Sequence, residues 1–181
     1  MFLAQDVICL YKRLLTDCFQ VWLTGGWGID ALLGEQTRPH KDLDVIILLD
    51  DVVRMSELLG RDGYSLKDLW SENRWVVDAQ GIETATAFVL QDPDGREIDA
   101  HAMRFDDLGN GVPAWEQTEG LIFRVQDLAG QGLIAGFAVQ CLTPEMQVFC
   151  HMGYELPDQQ LRDLELLHDK FGVGYSSISS P

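Results

Sequence analysis

A strand broken by two glycines, followed by a strand with two aspartates, restricts the fold of this chain more than any other feature. Residues 21–24 form a short apolar strand that ends at Gly25 and Gly26. A helical pattern follows, and the next apolar segment is interrupted only by Asp42 and Asp44. The order of strand, glycine turn, helix and strand predicts an α/β (α+β) protein with helices packed on a sheet.

The two aspartates form a pair on the predicted strand 42–49. Side chains at positions i and i+2 of a strand project from the same face, roughly 6–7 Å apart. Two carboxylates that face each other repel, so a bound cation is a natural explanation for Asp42 and Asp44. Magnesium prefers carboxylate and phosphate oxygens. The alternative is a solvated pair on an exposed strand edge, which the D-x-D pattern alone does not exclude.

The glycine turn and the loop before the acidic strand both suit phosphate binding. Gly25 and Gly26 open a helix, where backbone N–H groups are free to receive phosphate oxygens and no Cβ hinders close approach. Arg38, His40 and Lys41 place three potentially cationic side chains immediately before the aspartates, where they can meet a triphosphate. An ordinary solvated basic loop is the alternative interpretation of these three residues.

A predicted hairpin supplies a candidate third carboxylate for the site. The turn sequence at residues 92–95, Asp-Pro-Asp-Gly, predicts that segments 84–91 and 96–103 pair as antiparallel strands. Asp99 and His101 then share one face, where Asp99 is a candidate third metal ligand or general base. A surface hydrogen bond between the two is the alternative.

The remaining periodic segments predict further strands and a helical end to the chain. We interpret residues 1–110 as the core and residues 111–181 as a strand-and-helix region that packs on it. Further helices are predicted at residues 4–19, 51–59, 143–152 and 158–171, and further strands at residues 75–77, 121–125 and 137–142.

The net charge and the apolar content limit the kinds of partner that we expect this protein to bind. The 181 residues carry a formal net charge of −16, which argues against binding to nucleic acid and fits a cationic small substrate, although acidity also serves solubility. Glu83 and Glu119 are candidate contacts for such a substrate, together with His101. No apolar run approaches the roughly 20 residues of a membrane span, and the N-terminus lacks a signal-peptide pattern, so a cytoplasmic protein is expected.

Together these motifs resemble the nucleotidyltransferase superfamily, whose signature is a GG or GS turn, a D-x-D strand and a later strand aspartate. More narrowly, the chain resembles the lincosamide nucleotidyltransferases and the related aminoglycoside 2″-adenylyltransferases. The similarity extends over nearly the whole chain. The stretches that carry it are residues 24–30, 34–44, 98–101 and 143–156.

The resemblance implies a twisted mixed sheet flanked by helices, with a small helical C-terminal part. It implies magnesium-dependent transfer of a nucleoside monophosphate, usually AMP from ATP, to a drug hydroxyl with release of pyrophosphate. A lincosamide is the first expected acceptor; an aminoglycoside, another small-molecule or protein acceptor, or a non-catalytic nucleotide-binding module are the alternatives. By position, the metal ligands would be Asp42 and Asp44, the base or third ligand Asp99, and the phosphate contacts Gly25, Gly26 and Arg38.

Two residues depart from the pattern of the relatives. Ala87 stands where they often have Arg, and Ala102 stands where they usually have Pro. These differences leave the drug and its hydroxyl open. The sequence also leaves open the nucleotide preference and the choice between a monomer and a homodimer.

Overall fold

The computed structural model describes residues 1–116, 120–152 and 155–174. Its main element is a mixed eight-stranded sheet, and a separate two-stranded sheet lies beside it. The helices are α1 (Ala4–Thr16), α2 (Gly25–Leu33), α3 (Val52–Arg61), α4 (Pro144–Cys150) and α5 (Asp158–Phe171). The strands are β1 (Val21–Leu23), β2 (Asp42–Leu48), β3 (Ser65–Leu69), β4 (Trp75–Val77), β5 (Glu83–Ala85), β6 (Ala87–Gln91), β7 (Glu97–Phe105), β8 (Gly111–Pro113), β9 (Gly130–Ile134) and β10 (Phe137–Cys141).

The order of the strands places the two acidic segments at the centre of the sheet. The path runs β3-β6-β7-β2-β1-β10-β9, with β8 paired to β7 and with β4 and β5 forming the small sheet. Strand β2 is parallel to β7 and antiparallel to β1, whereas β6 and β7 form the predicted hairpin. The sheet is therefore mixed, as expected.

The two faces of the sheet have different roles. Leu43, Val45 and Ile98 point away from the aspartates and belong to the main apolar core, which also includes residues of α1 and α3. A smaller apolar cluster around Trp22 and Ile46 lies on the face that carries the aspartates. The carboxylates consequently lie on a rigid strand whose opposite face is closed by the core.

The C-terminal segments join the same sheet and core as the N-terminal ones. Strand β10 pairs in parallel with β1, and β9 continues the sheet beyond it. Leu164 and Leu167 of α5 belong to the main core. The division of the chain near residue 110 stays a prediction.

Most predicted elements are confirmed, with corrections at three places. Helix α2 begins at Gly25 itself, so the glycines form its first turn rather than precede it. The predicted strand at residues 121–125 is wrong, because only an isolated bridge between Gly111 and Phe123 is present there. The predicted hairpin strand 84–91 is divided, because Glu83–Ala85 pairs with β4 in the small sheet. Within the described residues, no helix is long and apolar enough to cross a membrane.

Candidate active site

The parallel pairing of β2 and β7 brings the predicted aspartates together. Asp44 is the register partner of Asp99, and Asp42 is the partner of Glu97. Register partners lie on the same face of neighbouring strands about 4.8 Å apart. Asp42 and Asp44 share that face because they are two residues apart, and His101 shares it with Asp99. Asp42, Asp44, Asp99 and His101 thus face the same side of the sheet.

Asp44 carries the clearest electrostatic signal of the site. Burial raises the pKa of its carboxyl well above the usual value, and the negative charges of Asp42 and Asp99 raise it further. The charges of Asp42 and Asp99 therefore repel an ionised Asp44 carboxylate. A bound cation would relieve this repulsion.

Asp99 contacts His101, which the sequence predicted, and Trp70, which the sequence did not identify. The indole Nε1 of Trp70 donates a hydrogen bond of 2.8 Å to Asp99 Oδ1. His101 Nδ1 lies 3.4 Å from the same oxygen, and His101 Nε2 lies 3.4 Å from Glu72 Oε1. Burial disfavours the imidazolium, but Asp99 and Glu72 outweigh it and raise the pKa of His101. The imidazole thus links two carboxylates.

The start of α2 approaches the acidic strand closely. The Thr24 N–H donates to the Asp44 carbonyl over 3.0 Å, which joins the end of β1 to β2. Gly25 has φ +56°, a left-handed conformation that favours glycine, and a Cβ there would collide with the Asp44 carboxylate. A Cβ on Gly26 would collide with the His40 ring. Both glycines are needed for this close approach.

His40 and Arg38 line the same cavity, but each has a protein partner. His40 is buried, and its Nε2 bonds to the Asp30 carboxylate. Asp30 Oδ1 also accepts hydrogen bonds from the Thr37 backbone N–H at 3.1 Å and from its hydroxyl at 2.6 Å. Asp30 therefore organises the loop before β2.

Arg38 reaches the C-terminal helix. Its Nε donates to both carboxylate oxygens of Asp163 at 3.1 Å, and its Nη2 donates to Asp163 Oδ2 at 2.6 Å. Burial disfavours the guanidinium charge, but the bond to Asp163 and the nearby Asp30 and Asp42 raise the Arg38 pKa. Arg38 stays charged and is held at the edge of the cavity by a residue 125 positions away.

These residues surround a cavity of about 840 Å³, which Gly25, Gly26, Arg38, His40, Asp42, Asp44, Asp99 and His101 all help to line. One part of its wall is apolar, formed by Ile46, Trp115, Leu121 and Phe123. Glu83 is exposed on β5 and is not among the described residues that line this cavity. Glu119 lies outside the described residues, so contact of either glutamate with a substrate stays a prediction.

The donor set fits a metal that arrives with a nucleotide better than a closed protein site. Within residues 1–116, 120–152 and 155–174, no group of three or more His, Cys, Asp and Glu side chains is arranged to hold a metal ion. Magnesium commonly takes only one or two carboxylates, with phosphates and water as its other ligands. Asp42 and Asp44 match that pattern, and the charges of Asp42 and Asp99 add to burial in raising the pKa of Asp44. The role of Asp99 as a third ligand stays a prediction.

Comparison with known proteins gives consistent results. The family described as Aminoglycoside-2″-adenylyltransferase matches residues 6–167. A lincosamide resistance protein of Staphylococcus haemolyticus is 25% identical over 146 residues, which cover 81% of this chain and 82% of that protein.

Two solved structures share the fold. The lincomycin-bound lincosamide antibiotic adenylyltransferase LnuA has a TM-score of 0.72 at 22% identity, covering 90% of this chain and 94% of its own. The aminoglycoside enzyme ANT(2″)-Ia, in complex with adenylyl-2″-tobramycin, has a TM-score of 0.67 at 17% identity, covering 92% of this chain and 87% of its own. At these identities the two structures establish the nucleotidyltransferase fold.

Proposed function

Because the chain belongs to the aminoglycoside-2″-adenylyltransferase family of nucleotidyltransferases, we propose that it transfers AMP from ATP to a hydroxyl of a small antibiotic. The observation that carries this proposal is the convergence of Asp42, Asp44 and Asp99 beside the N-terminus of α2, in a cavity of about 840 Å³. That volume is in the range of small-molecule sites. Since the donor is ATP, we propose the cytoplasm as the place of action.

The nucleotide side of the site is formed by α2 and the loop before β2. The first N–H groups of α2 and its dipole favour phosphate oxygens, and the glycines let them approach. Arg38 adds a fixed positive charge at the same edge of the cavity. His40 supports this wall from behind, since its ring packs against Gly26 and bonds to Asp30.

Asp42 and Asp44 are the residues that would hold magnesium. When bound, Mg²⁺ neutralises charge on the phosphates and on the departing pyrophosphate. The chain itself contributes the two carboxylates on one strand face and the rigid core behind them. The Asp44 carboxylate lies next to Gly25, which supports a metal site beside the proposed phosphate-binding turn.

We assign to Asp99 the role of general base for the acceptor hydroxyl. In the transfer, a bond forms between the acceptor oxygen and the α-phosphorus, and the bond from that phosphorus to the pyrophosphate oxygen breaks. The proton of the acceptor hydroxyl passes to the Asp99 carboxylate. Asp99 lies opposite Asp44 in the sheet, so its carboxylate faces the same cavity as the metal-binding pair.

A lincosamide is the acceptor that the cavity favours. The apolar wall of Ile46, Trp115, Leu121 and Phe123 suits a substrate with an apolar portion. LnuA, which shares the fold, is lincomycin-bound in its crystal structure. An aminoglycoside is the second candidate, because the Glu72 carboxylate and the net charge of −16 suit a polycation.

The test uses ATP labelled on the α-phosphorus, magnesium, and separate panels of lincosamides and aminoglycosides. We expect label in a lincosamide and stoichiometric pyrophosphate release. Asp42→Asn should abolish both while the far-UV spectrum and unfolding midpoint stay those of a folded protein. No labelled drug in either panel, or full activity in the Asp42→Asn variant, contradicts the proposal.

A further inference from the structure

We propose that Trp70 is a positioning residue for Asp99, a role that rests on the proposed function. The indole N–H fixes one oxygen of the Asp99 carboxylate, Oδ1, and so directs the other, Oδ2, to the reacting acceptor. Trp70 belongs to none of the motifs in the sequence, since it lies between β3 and β4.

The contacts of Asp99 are unequally divided between its two oxygens. Trp70 Nε1 donates to Oδ1 over 2.8 Å, and His101 Nδ1 lies 3.4 Å from the same atom. In the part of the chain that the structure describes, both of these side-chain contacts fall on Oδ1. A short hydrogen bond to a carboxylate oxygen is strong and restricts rotation of the carboxylate. The second oxygen is then the one positioned to receive a proton.

Trp70 is able to fix Asp99 because its own segment is attached to the sheet. The Trp70 N–H donates to the Ala87 carbonyl over 3.2 Å. Asn73 Oδ1 accepts from the backbone N–H groups of Thr86 at 2.8 Å and of Ala87 at 3.2 Å. The Thr86 hydroxyl in turn accepts a bond of 2.8 Å from the Arg74 N–H. The segment from Trp70 to Arg74 is thus bonded to the start of β6 along its length.

The small side chain of Ala87 suits a position beside this segment. It is fully buried, and it is the register partner of His101, so its methyl group shares the face of the sheet that carries Asp99. The Ala87 carbonyl accepts the Trp70 N–H, so this position lies beside the Trp70 segment, and its complete burial disfavours a long side chain. A small residue at position 87 is therefore compatible with a Trp70 side chain that reaches Asp99.

The decisive experiment removes the indole N–H and keeps the ring. Site-specific replacement of Trp70 by benzothienylalanine changes only the N–H to sulfur, and Trp70→Phe is the simpler variant. We expect kcat to fall about 10- to 100-fold with KM for ATP and drug within about twofold. The matched control is Trp75→Phe, since Trp75 is 58% exposed on β4 and does not line the cavity. This control should keep the wild-type kcat.

A measurement without turnover separates this proposal from the proposed function. In a ¹⁵N spectrum, the Trp70 indole N–H should exchange slowly with solvent, and Asp99→Ala should accelerate its exchange while the Trp75 indole is unaffected. Unchanged exchange in Asp99→Ala overturns the proposal, even if no drug is modified. An unchanged kcat in both Trp70 variants of an active enzyme also overturns it, as does a rise in KM at constant kcat, which would make Trp70 a substrate contact.

Discussion

Replacing Asp163 by Asn should destabilise the protein and weaken nucleotide binding together. Asp163 is 2% exposed and receives three N–H···O contacts of 2.6–3.1 Å from Arg38, whose side chain is 23% exposed. Removing one partner of a buried ion pair costs about 3–5 kcal/mol. Arg38 is partly exposed and can turn to water, and Asn keeps one acceptor, so we expect a loss of about 2–3 kcal/mol. For a chain of this length that is roughly 5–10 °C in the unfolding midpoint.

A double-mutant cycle in urea measures the contribution of the pair itself. The single variants are Asp163→Asn and Arg38→Gln, and the double variant should lose at least about 1 kcal/mol less than their sum. Asp169→Asn is the matched control, because Asp169 is exposed on the same helix, α5. If the two single losses simply add, the Arg38–Asp163 contact does not contribute to stability and our reasoning is refuted.

The same variant tests the role of Arg38 at the active site. Without Asp163, the guanidinium is no longer held at the edge of the cavity. We expect KM for ATP to rise about tenfold, equivalent to about 1.4 kcal/mol, with a smaller change in kcat. An unchanged KM for ATP in Asp163→Asn would show that the nucleotide does not depend on this orientation of Arg38.

Two further substitutions test the acidic strand and the glycine turn. Asp44→Asn should abolish pyrophosphate release yet be at least as stable as the wild type at pH 7 without metal. The reason is that burial, with Asp42 and Asp99, raises the pKa of Asp44. The wild type loses stability as the pH rises from the ordinary pKa of about 3.8, where Asp44 ionises in the unfolded chain, to its raised pKa in the folded chain. The variant's advantage in urea titrations should therefore vanish below pH 3.8, and a less stable variant at pH 7 would contradict this. Gly25→Ala and Gly34→Ala both place a methyl at positive φ, +56° and +82°, which costs about 1–2 kcal/mol in the same titrations. Gly25→Ala should lose more than Gly34→Ala, because a Cβ at Gly34 has nothing within 4 Å. Only Gly25→Ala should lose activity, because only its methyl meets the Asp44 carboxylate, and equal kcat values in the two variants would refute that.

Several parts of the fold could be predicted because they depend on neighbours in sequence. The Asp-Pro-Asp-Gly turn at residues 92–95 predicted the hairpin of β6 and β7, which is present. Alternation along β2 placed Asp42 and Asp44 on one face, since a strand repeats every two residues. The strand at residues 121–125 was predicted by the same apolar pattern and is wrong. Its apolar side chain Phe123 is buried in the cluster around Trp22 without a continuous strand partner.

Sequence patterns could not predict which residues bond to Arg38, His40 and Asp99 from remote parts of the chain. Arg38 and His40 both form part of a basic run that predicted phosphate contacts. Both line the cavity, and their contact with phosphate stays a prediction. Their bonds to Asp163 and Asp30 could not be read from the run, because one partner lies on α5 and the other is a buried residue of α2. Trp70 is likewise brought to Asp99 only by the pairing of β3 with β6 and β6 with β7.

The sequence by itself determined the kind of chemistry, because residue types and local spacing decide which groups can bind a metal or a phosphate. Gly25, Gly26, Asp42, Asp44 and Asp99 were all predicted as site residues in this way. The tertiary structure decided how those groups are held, since the orientation and charge of each depend on residues remote in the chain. A carboxylate on a strand is a potential ligand from its sequence alone. The raised pKa of Asp44 and the hydrogen-bonded Oδ1 of Asp99 come from the neighbours that folding places around them.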